Sequence, residues 1–133
     1  MIASAEWKQG SLYDGKSASG HTVVFDTSAE HAAGPSPMEG VLVSLCACTS
    51  VDVVSILQKK REPLEGLIVT AEAEQAPAPP RVFTQIHLTY RIRGKVSQKA
   101  AEDAVSLSKN KYCSVSKMLE KAAKIEYSIE YES

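Results

Sequence analysis

A long helix with apolar residues on almost every side is the strongest constraint in this sequence. From Met38 to Arg61, apolar side chains recur every three or four residues, the period of a helical face that packs against other elements. Further valines and leucines fill the remaining sides, so the predicted helix is apolar nearly all round. Such a helix belongs in a protein interior or a subunit interface. Basic residues at 59–61 and the following Pro63 mark its end.

Strand patterns lie on both sides of this helix along the chain. Short apolar pieces separated by glycines in the first thirty or so residues predict a small antiparallel meander. Alternating apolar and polar residues predict strands at Glu65 to Glu74, Val82 to Arg93 and Ile125 to Tyr131.

Two further helices are predicted before the closing strand. Ser97 is suited to cap the first, which reaches about Asn110, and Ser114 the second, which reaches about Lys124. The chain is therefore predicted to be an α+β protein with one domain over residues 1–133.

Charge and apolar content exclude several classes of function. Fifteen Lys and Arg against sixteen Asp and Glu leave no basic excess for a phosphate backbone, so nucleic acid is not an expected partner. We find no signal peptide and no segment with the roughly 20 apolar residues of a membrane span. A cytoplasmic location without membrane association is the expectation.

Three cysteines, Cys46, Cys48 and Cys113, are the candidates for chemistry. Cys113 lies directly before a predicted helix start, with lysines nearby, and both effects favour its thiolate. Cys48 lies in the apolar helix, and Cys46 lies about 200° away around it. Free cysteine is often an inert, buried apolar residue, so helix position alone leaves reactive and structural roles open. The spacing does not match a zinc finger, and no histidine is paired locally with a cysteine.

Two cysteine motifs together resemble the OsmC/Ohr family of osmotically inducible and organic hydroperoxide resistance proteins. One is the run that begins Gly34-Pro-Ser-Pro and ends Cys48-Thr-Ser-Val-Asp-Val-Val54, and the other is Lys111-Tyr-Cys-Ser-Val-Ser116. The first motif is similar to the helix Gly-Cys-Thr-x-x-Asp-Val-Val in one branch of that family. The predicted strands also fall where that branch has them, so the resemblance covers nearly the whole chain.

The resemblance implies antiparallel sheets around a long buried central helix, in an intertwined homodimer with active sites at the subunit interface. It implies a thiol peroxidase of oxidative stress defence, in which Cys48 attacks an organic hydroperoxide and Cys113 resolves the sulfenic acid as a disulfide. Cys46 is then a spectator. The expected reductant is a dithiol such as dihydrolipoamide, with no bound metal or organic cofactor.

The chain differs from the family pattern at one part of the implied site. Well-characterised members have an Arg in the N-terminal strands that stabilises the thiolate, and a Glu directly after the Pro that orients it. Here no Arg precedes Pro37, and Glu39 stands one residue later than that Glu. Glu39 is a candidate catalytic residue that binds another cation, or a first-turn acid favoured by the helix dipole. The alternative function is a catalytically weak binding or redox-sensing protein of the same fold.

Overall fold

The computed structural model describes residues 1–133 and divides into two compact units, Met1–Leu42 and Val43–Ser133. The first unit opens with the predicted meander, in which β1 (Ala3–Gln9), β2 (Leu12–Ser17) and β3 (Thr22–Asp26) pair antiparallel in that order. Gly10 and Gly20 lie in the tight turns between these strands with φ of 52° and 93°, backbone angles that side chains rarely tolerate. The organisation of the chain as one domain stays a prediction.

Helix α1 (Pro37–Lys59) has 23 residues and confirms the main sequence prediction. Its C-terminus is closed by Arg61, whose φ of 59° is left-handed. The Arg61 N–H donates to the Gln58 carbonyl, and the Glu62 N–H donates to the Leu57 carbonyl, both at 3.0 Å. This pair of bonds is a Schellman motif, which satisfies carbonyls left free at a helix end.

The second unit contains a sheet of β4 (Leu64–Gln75), β5 (Phe83–Gly94) and β6 (Lys124–Glu132). β4 pairs antiparallel with β5, but β6 pairs with β5 in parallel. The expected antiparallel pairing holds in the first sheet and between β4 and β5, and the parallel β5–β6 pair is a correction to it. The helical segments between β5 and β6 form a crossover that returns the chain to the same end of the sheet, and a parallel pair requires such a connection.

The crossover contains α2 (Gln98–Leu107), a π-helical segment (Ser108–Tyr112) and α3 (Ser114–Leu119). Ser97 caps α2 as predicted, because its hydroxyl accepts the Ala100 N–H at 3.2 Å. Both helices are shorter than the sequence pattern indicated. The π-helical segment ends α2, and a turn follows α3 before β6 begins.

The core of the second unit is formed by one face of α1, the inner face of β5 and the small residues of α2. Its fully buried members are Leu45, Val53, Leu57, Ile86, Leu88, Tyr90, Ile92, Ala101, Ala104 and Val105. The rest of α1 is less protected, since Val43 and Val51 are 62% and 68% exposed. Within one chain, α1 is therefore buried on one side only.

α1 also corrects the expectation that no segment could span a membrane. An 18-residue window of this helix has a mean hydropathy of 2.0, and with the length of the helix this suffices for a crossing by composition alone. The core helix of a soluble protein meets the same criterion, so this is weak evidence for a membrane segment.

Candidate functional site

The structure brings two of the predicted site residues together in the second unit. Cys48 lies near the middle of α1 and is half-buried, and Cys113 joins the π-helical segment to α3 with no solvent exposure. The Cys48 sulfur lies near enough to the Cys113 thiol to raise its pKa. Two cysteines that are 65 positions apart in the sequence therefore form one local pair.

The backbone around Cys113 fixes the position of its sulfur. The Cys113 N–H donates to the Ser108 carbonyl at 2.8 Å, five residues back, which is the hydrogen bond of a π-helical turn. The Ser116 N–H donates to the Cys113 sulfur at 3.3 Å. Cys113 is thus itself the N-cap of α3, and the predicted cap, Ser114, is the first helical residue.

The ionisation of Cys113 differs from the sequence prediction. Burial raises the pKa of the Cys113 thiol, and the Ser116 N–H only partly offsets this effect. The nearby Cys48 sulfur and the Asp52 carboxylate raise the pKa further, because each would place a second negative charge beside a Cys113 thiolate. The prediction that Cys113 favours its thiolate is therefore wrong, since desolvation outweighs the helix start.

Two of the lysines near Cys113 in sequence interact with other groups. Lys117 pairs with Glu120 at 2.6 Å, and the Lys111 ammonium lies 5.2 Å from the centre of the Tyr112 ring. Sequence proximity therefore overstated their effect on the thiol.

Cys46 lies apart from this pair, on the side of α1 that meets β4. Burial raises the pKa of the Cys46 thiol, and a hydrogen bond with the Ala71 backbone opposes that effect. Its orientation agrees with the predicted separation from Cys48 around the helix.

A buried chain of side-chain hydrogen bonds lies beside the cysteine pair and was not predicted. Thr49 Oγ1 lies 2.7 Å from the Tyr90 hydroxyl and 2.8 Å from Ser108 Oγ. Ser108 Oγ donates to Asp52 Oδ2 at 2.8 Å. The available signal was that Thr49 and Asp52, three residues apart, share one face of α1.

A groove of about 450 Å³ opens next to Asp52. Ile56, Leu107 and Tyr112 give it an apolar lining, and Lys59 and Lys60 stand at the C-terminal end of α1. Neither Cys48 nor Cys113 lines this groove, but Asp52, one helical turn after Cys48, and Tyr112, next to Cys113, do.

Glu39, the third predicted site residue, lies in the first unit, in the first turn of α1. The Glu39 N–H donates to the Ser36 hydroxyl at 3.1 Å, and the Ser36 N–H donates to Glu39 Oε1 at 2.9 Å. These reciprocal bonds form a capping box at the start of α1. The Ser36 N–H also lowers the pKa of the Glu39 carboxyl, and His31 Nε2 lies 3.8 Å from Glu39 Oε1.

The second unit contains four arginines, and three of them have defined structural roles. Arg91 pairs with Glu130 and Glu132 on the exposed face of the sheet. Arg93 donates to the Glu65 carbonyl at 2.9 Å, and Arg61 closes the end of α1. No hydrogen bond joins any of these three arginines to Cys48.

Comparison with known proteins places these features in a family. A model described as OsmC-like protein matches residues 29–128. Protein YhfA of Escherichia coli K12 is 43% identical over 131 residues, which cover 98% of this chain and 97% of YhfA.

Solved structures show the same fold. A hypothetical protein from Aquifex aeolicus VF5 is 30% identical with a TM-score of 0.84, over 99% of this chain and 97% of that chain. An organic hydroperoxide resistance protein OsmC from Legionella pneumophila is 18% identical with a TM-score of 0.74, over 97% and 95% of the two chains. The long apolar helix, the two sheets and the match over residues 29–128 agree, and the chain belongs to the OsmC-like protein family.

Proposed function

We propose that this chain is a thiol peroxidase that reduces organic hydroperoxides, with Cys48 as the attacking thiol and Cys113 as the resolving thiol. The observation that carries the proposal is that Cys48 lies near enough to the buried Cys113 thiol to raise its pKa. The name of the Legionella pneumophila neighbour, an organic hydroperoxide resistance protein, supports the substrate class.

The first step is the attack of the Cys48 thiolate on the outer oxygen of the hydroperoxide. The O–O bond breaks, the sulfur is oxidised to a sulfenic acid, and the alkoxide that leaves takes up a proton to become an alcohol. Cys48 suits this step because it is half-buried, so a peroxide can reach the sulfur from solvent.

The second step joins the two sulfurs. The Cys113 sulfur attacks the Cys48 sulfenic acid, an S–S bond forms, and the hydroxyl of the sulfenic acid leaves with the Cys113 proton as water. An external dithiol then reduces the disulfide and is itself oxidised to a disulfide. A fast second step protects Cys48 from further, irreversible oxidation.

The raised pKa of Cys113 supports this division of roles. Cys113 keeps its proton, and a protonated thiol can donate a hydrogen bond to an ionised sulfur beside it. Donation to the charged form of a thiol favours that form. In this proposal the Cys113 thiol supplies part of the stabilisation that the family Arg provides elsewhere.

The proposal also includes the location and oligomeric state of the protein, the role of Glu39 and the reductant. Proteins of this family are soluble, and Ohr/OsmC structures are dimers, which supports a cytoplasmic homodimer here. The exposed valines of α1 supply an apolar surface for the second subunit. We propose that Glu39 stabilises the start of α1 and forms an ion pair with His31 when the His31 imidazole is protonated. The proposed reductant is a dithiol such as dihydrolipoamide.

The test is consumption of cumene hydroperoxide with dihydrolipoamide as reductant. We expect Cys48→Ser to abolish turnover and Cys113→Ser to accumulate a sulfenic or sulfinic acid at Cys48. Cys46→Ser is the matched control, because it removes a thiol from the same helix without touching the pair, and it should retain turnover. Equal turnover of the wild type and Cys48→Ser would reject the mechanism.

A second candidate function is a redox-sensing or binding protein that oxidises once and turns over slowly. The absence of Arg before Pro37 favours this reading, since the thiolate then lacks the family's fixed cation. Mass spectrometry after one equivalent of cumene hydroperoxide separates the candidates. Rapid formation of a Cys48–Cys113 disulfide with fast recycling supports the peroxidase, rapid formation without recycling supports the sensor, and unmodified thiols support the binding protein.

A further inference from the structure

Ser108 is the one residue whose side chain bonds to the helix that carries Cys48 and whose backbone bonds to Cys113. Its hydroxyl reaches Thr49 and Asp52 on α1, and its carbonyl accepts the Cys113 N–H at 2.8 Å. Ser108 has no solvent exposure. We propose that Ser108 is the positioning residue that holds the Cys113 segment against the Cys48 helix, so that the two sulfurs meet.

Counting protons fixes the direction of the hydrogen bonds. A hydroxyl has one proton to donate, and the Ser108 proton goes to the Asp52 carboxylate, which can only accept when ionised. Thr49 must then donate to Ser108, and the Tyr90 hydroxyl must donate to Thr49. The chain therefore runs from β5 through α1 to Ser108 and ends on a negative charge, where hydrogen bonds are strongest.

The π-helical segment makes this anchor relevant to Cys113. One extra residue per turn redirects the chain at the end of α2, and Cys113 emerges directly from that turn into α3. Without side-chain anchoring, a five-residue segment of this type could relax toward the more stable α-helical bonding pattern. Such a relaxation would rotate Cys113 away from its present position.

Neighbouring Ser106 shows what an unanchored serine on α2 looks like. Its hydroxyl accepts a hydrogen bond from Asn110 Nδ2 at 3.2 Å on the exposed surface and makes no hydrogen bond to α1. Ser106→Ala therefore removes the same side-chain atom two residues before Ser108, at the end of α2, and serves as the matched control.

The inference deepens the proposed function and rests on it, because it concerns the same two thiols. Its test nevertheless uses no peroxide. The reduced protein is equilibrated with mixtures of reduced and oxidised glutathione, and the fraction with a Cys48–Cys113 disulfide is measured by mass spectrometry after acid quenching. Each disulfide formed converts one oxidised glutathione into two reduced molecules, so the equilibrium gives the effective concentration of Cys113 at Cys48.

We expect Ser108→Ala to lower this effective concentration at least about tenfold, the scale of a hydrogen bond to a charged group. Ser106→Ala should match the wild type. A folded Ser108→Ala protein with an unchanged effective concentration would overturn the inference, and so would an equal loss in both variants. Peroxide turnover by the wild type is measured in a separate assay. A failure of the proposed function is therefore distinguished from a failure of this inference.

Asp52 provides the second pair of variants, in case Ser108→Ala does not fold. Asp52→Asn keeps an oxygen that accepts the Ser108 proton but removes the charge, and Asp52→Ala removes both. Positioning through Ser108 predicts that Asp52→Ala lowers the effective concentration well below that of Asp52→Asn. Equal values for the two variants would contradict it.

Discussion

The Ser116 N–H donates to the Cys113 sulfur at 3.3 Å, in a position that excludes solvent from that sulfur completely. A helix start favours a thiolate, whereas burial favours the neutral thiol. The pKa of Cys113 is raised, so burial prevails. The resolving thiol of the proposed pair is therefore the protected member, and Cys48 is the accessible one.

Alkylation under native conditions should follow this order. We expect iodoacetamide at pH 8 to modify Cys48 at least about tenfold faster than Cys113, since one pKa unit alone changes the thiolate fraction tenfold. Timed quenching followed by peptide mass mapping gives both rates in one sample. Denatured protein, in which all three cysteines should react at similar rates, is the control, and equal native rates would contradict the burial argument.

The capping box of α1 makes a prediction about stability. Ser36→Ala removes the acceptor for the Glu39 N–H and should lower the free energy of unfolding by about 1 kcal/mol, measured by urea denaturation. Ser114→Ala is the control, because the N-cap of α3 is Cys113, and its effect should be much smaller. A loss at Ser114 as large as that at Ser36 would show that the cap assignments are wrong.

Asp26 gives the first unit a dependence on acid. Backbone N–H groups of Ser28 and Ala33 and the Ser11 hydroxyl bind its carboxylate and hold the pKa of Asp26 well below its usual range. A lowered folded-state pKa means that the stabilisation is complete above the unfolded value, near pH 4, and is lost as the pH falls below it.

The measurement is the urea midpoint between pH 7 and pH 3 for the wild type and Asp26→Asn. The wild type should be the more stable protein at pH 7, and the difference between the two should shrink as the pH falls below about 4. Other carboxyl groups titrate in the same range, so the difference between the proteins is the informative quantity. A difference that stays constant down to pH 3 would exclude this role for Asp26.

The exposed valines of α1 make a prediction about assembly. Val51 is 68% exposed on a helix that contains an 18-residue window with a mean hydropathy of 2.0, an arrangement that is unfavourable in water unless a second subunit covers it. Val51→Glu should convert the proposed dimer to monomer in sedimentation or light-scattering measurements. Gln98→Glu, which adds the same charge at an exposed site on α2, should leave the mass unchanged. A monomeric wild type would contradict this interpretation of α1.

Local sequence determined much of the architecture. The three-to-four spacing of apolar residues gave the position of α1, and Ser97 correctly marked the start of α2. Strict alternation located β4, β5 and β6 within a residue or two. These features depend on neighbours along the chain, whose geometry is set by the repeat of the helix or strand itself.

The chemistry of the cysteine pair depends on tertiary contacts and not on local sequence. The sequence placed Cys113 at a helix start, but its pKa depends on burial and on Cys48 and Asp52, which lie far away along the chain. Ser108 is likewise an ordinary serine in sequence, and only the π-helical turn and the packing of α1 make it a link between the two thiols. The parallel pairing of β5 with β6 follows the same rule, because strand direction depends on how the crossover folds back. Sequence periodicity determined which elements form, and the tertiary structure decided which atoms meet and which of them lose contact with water.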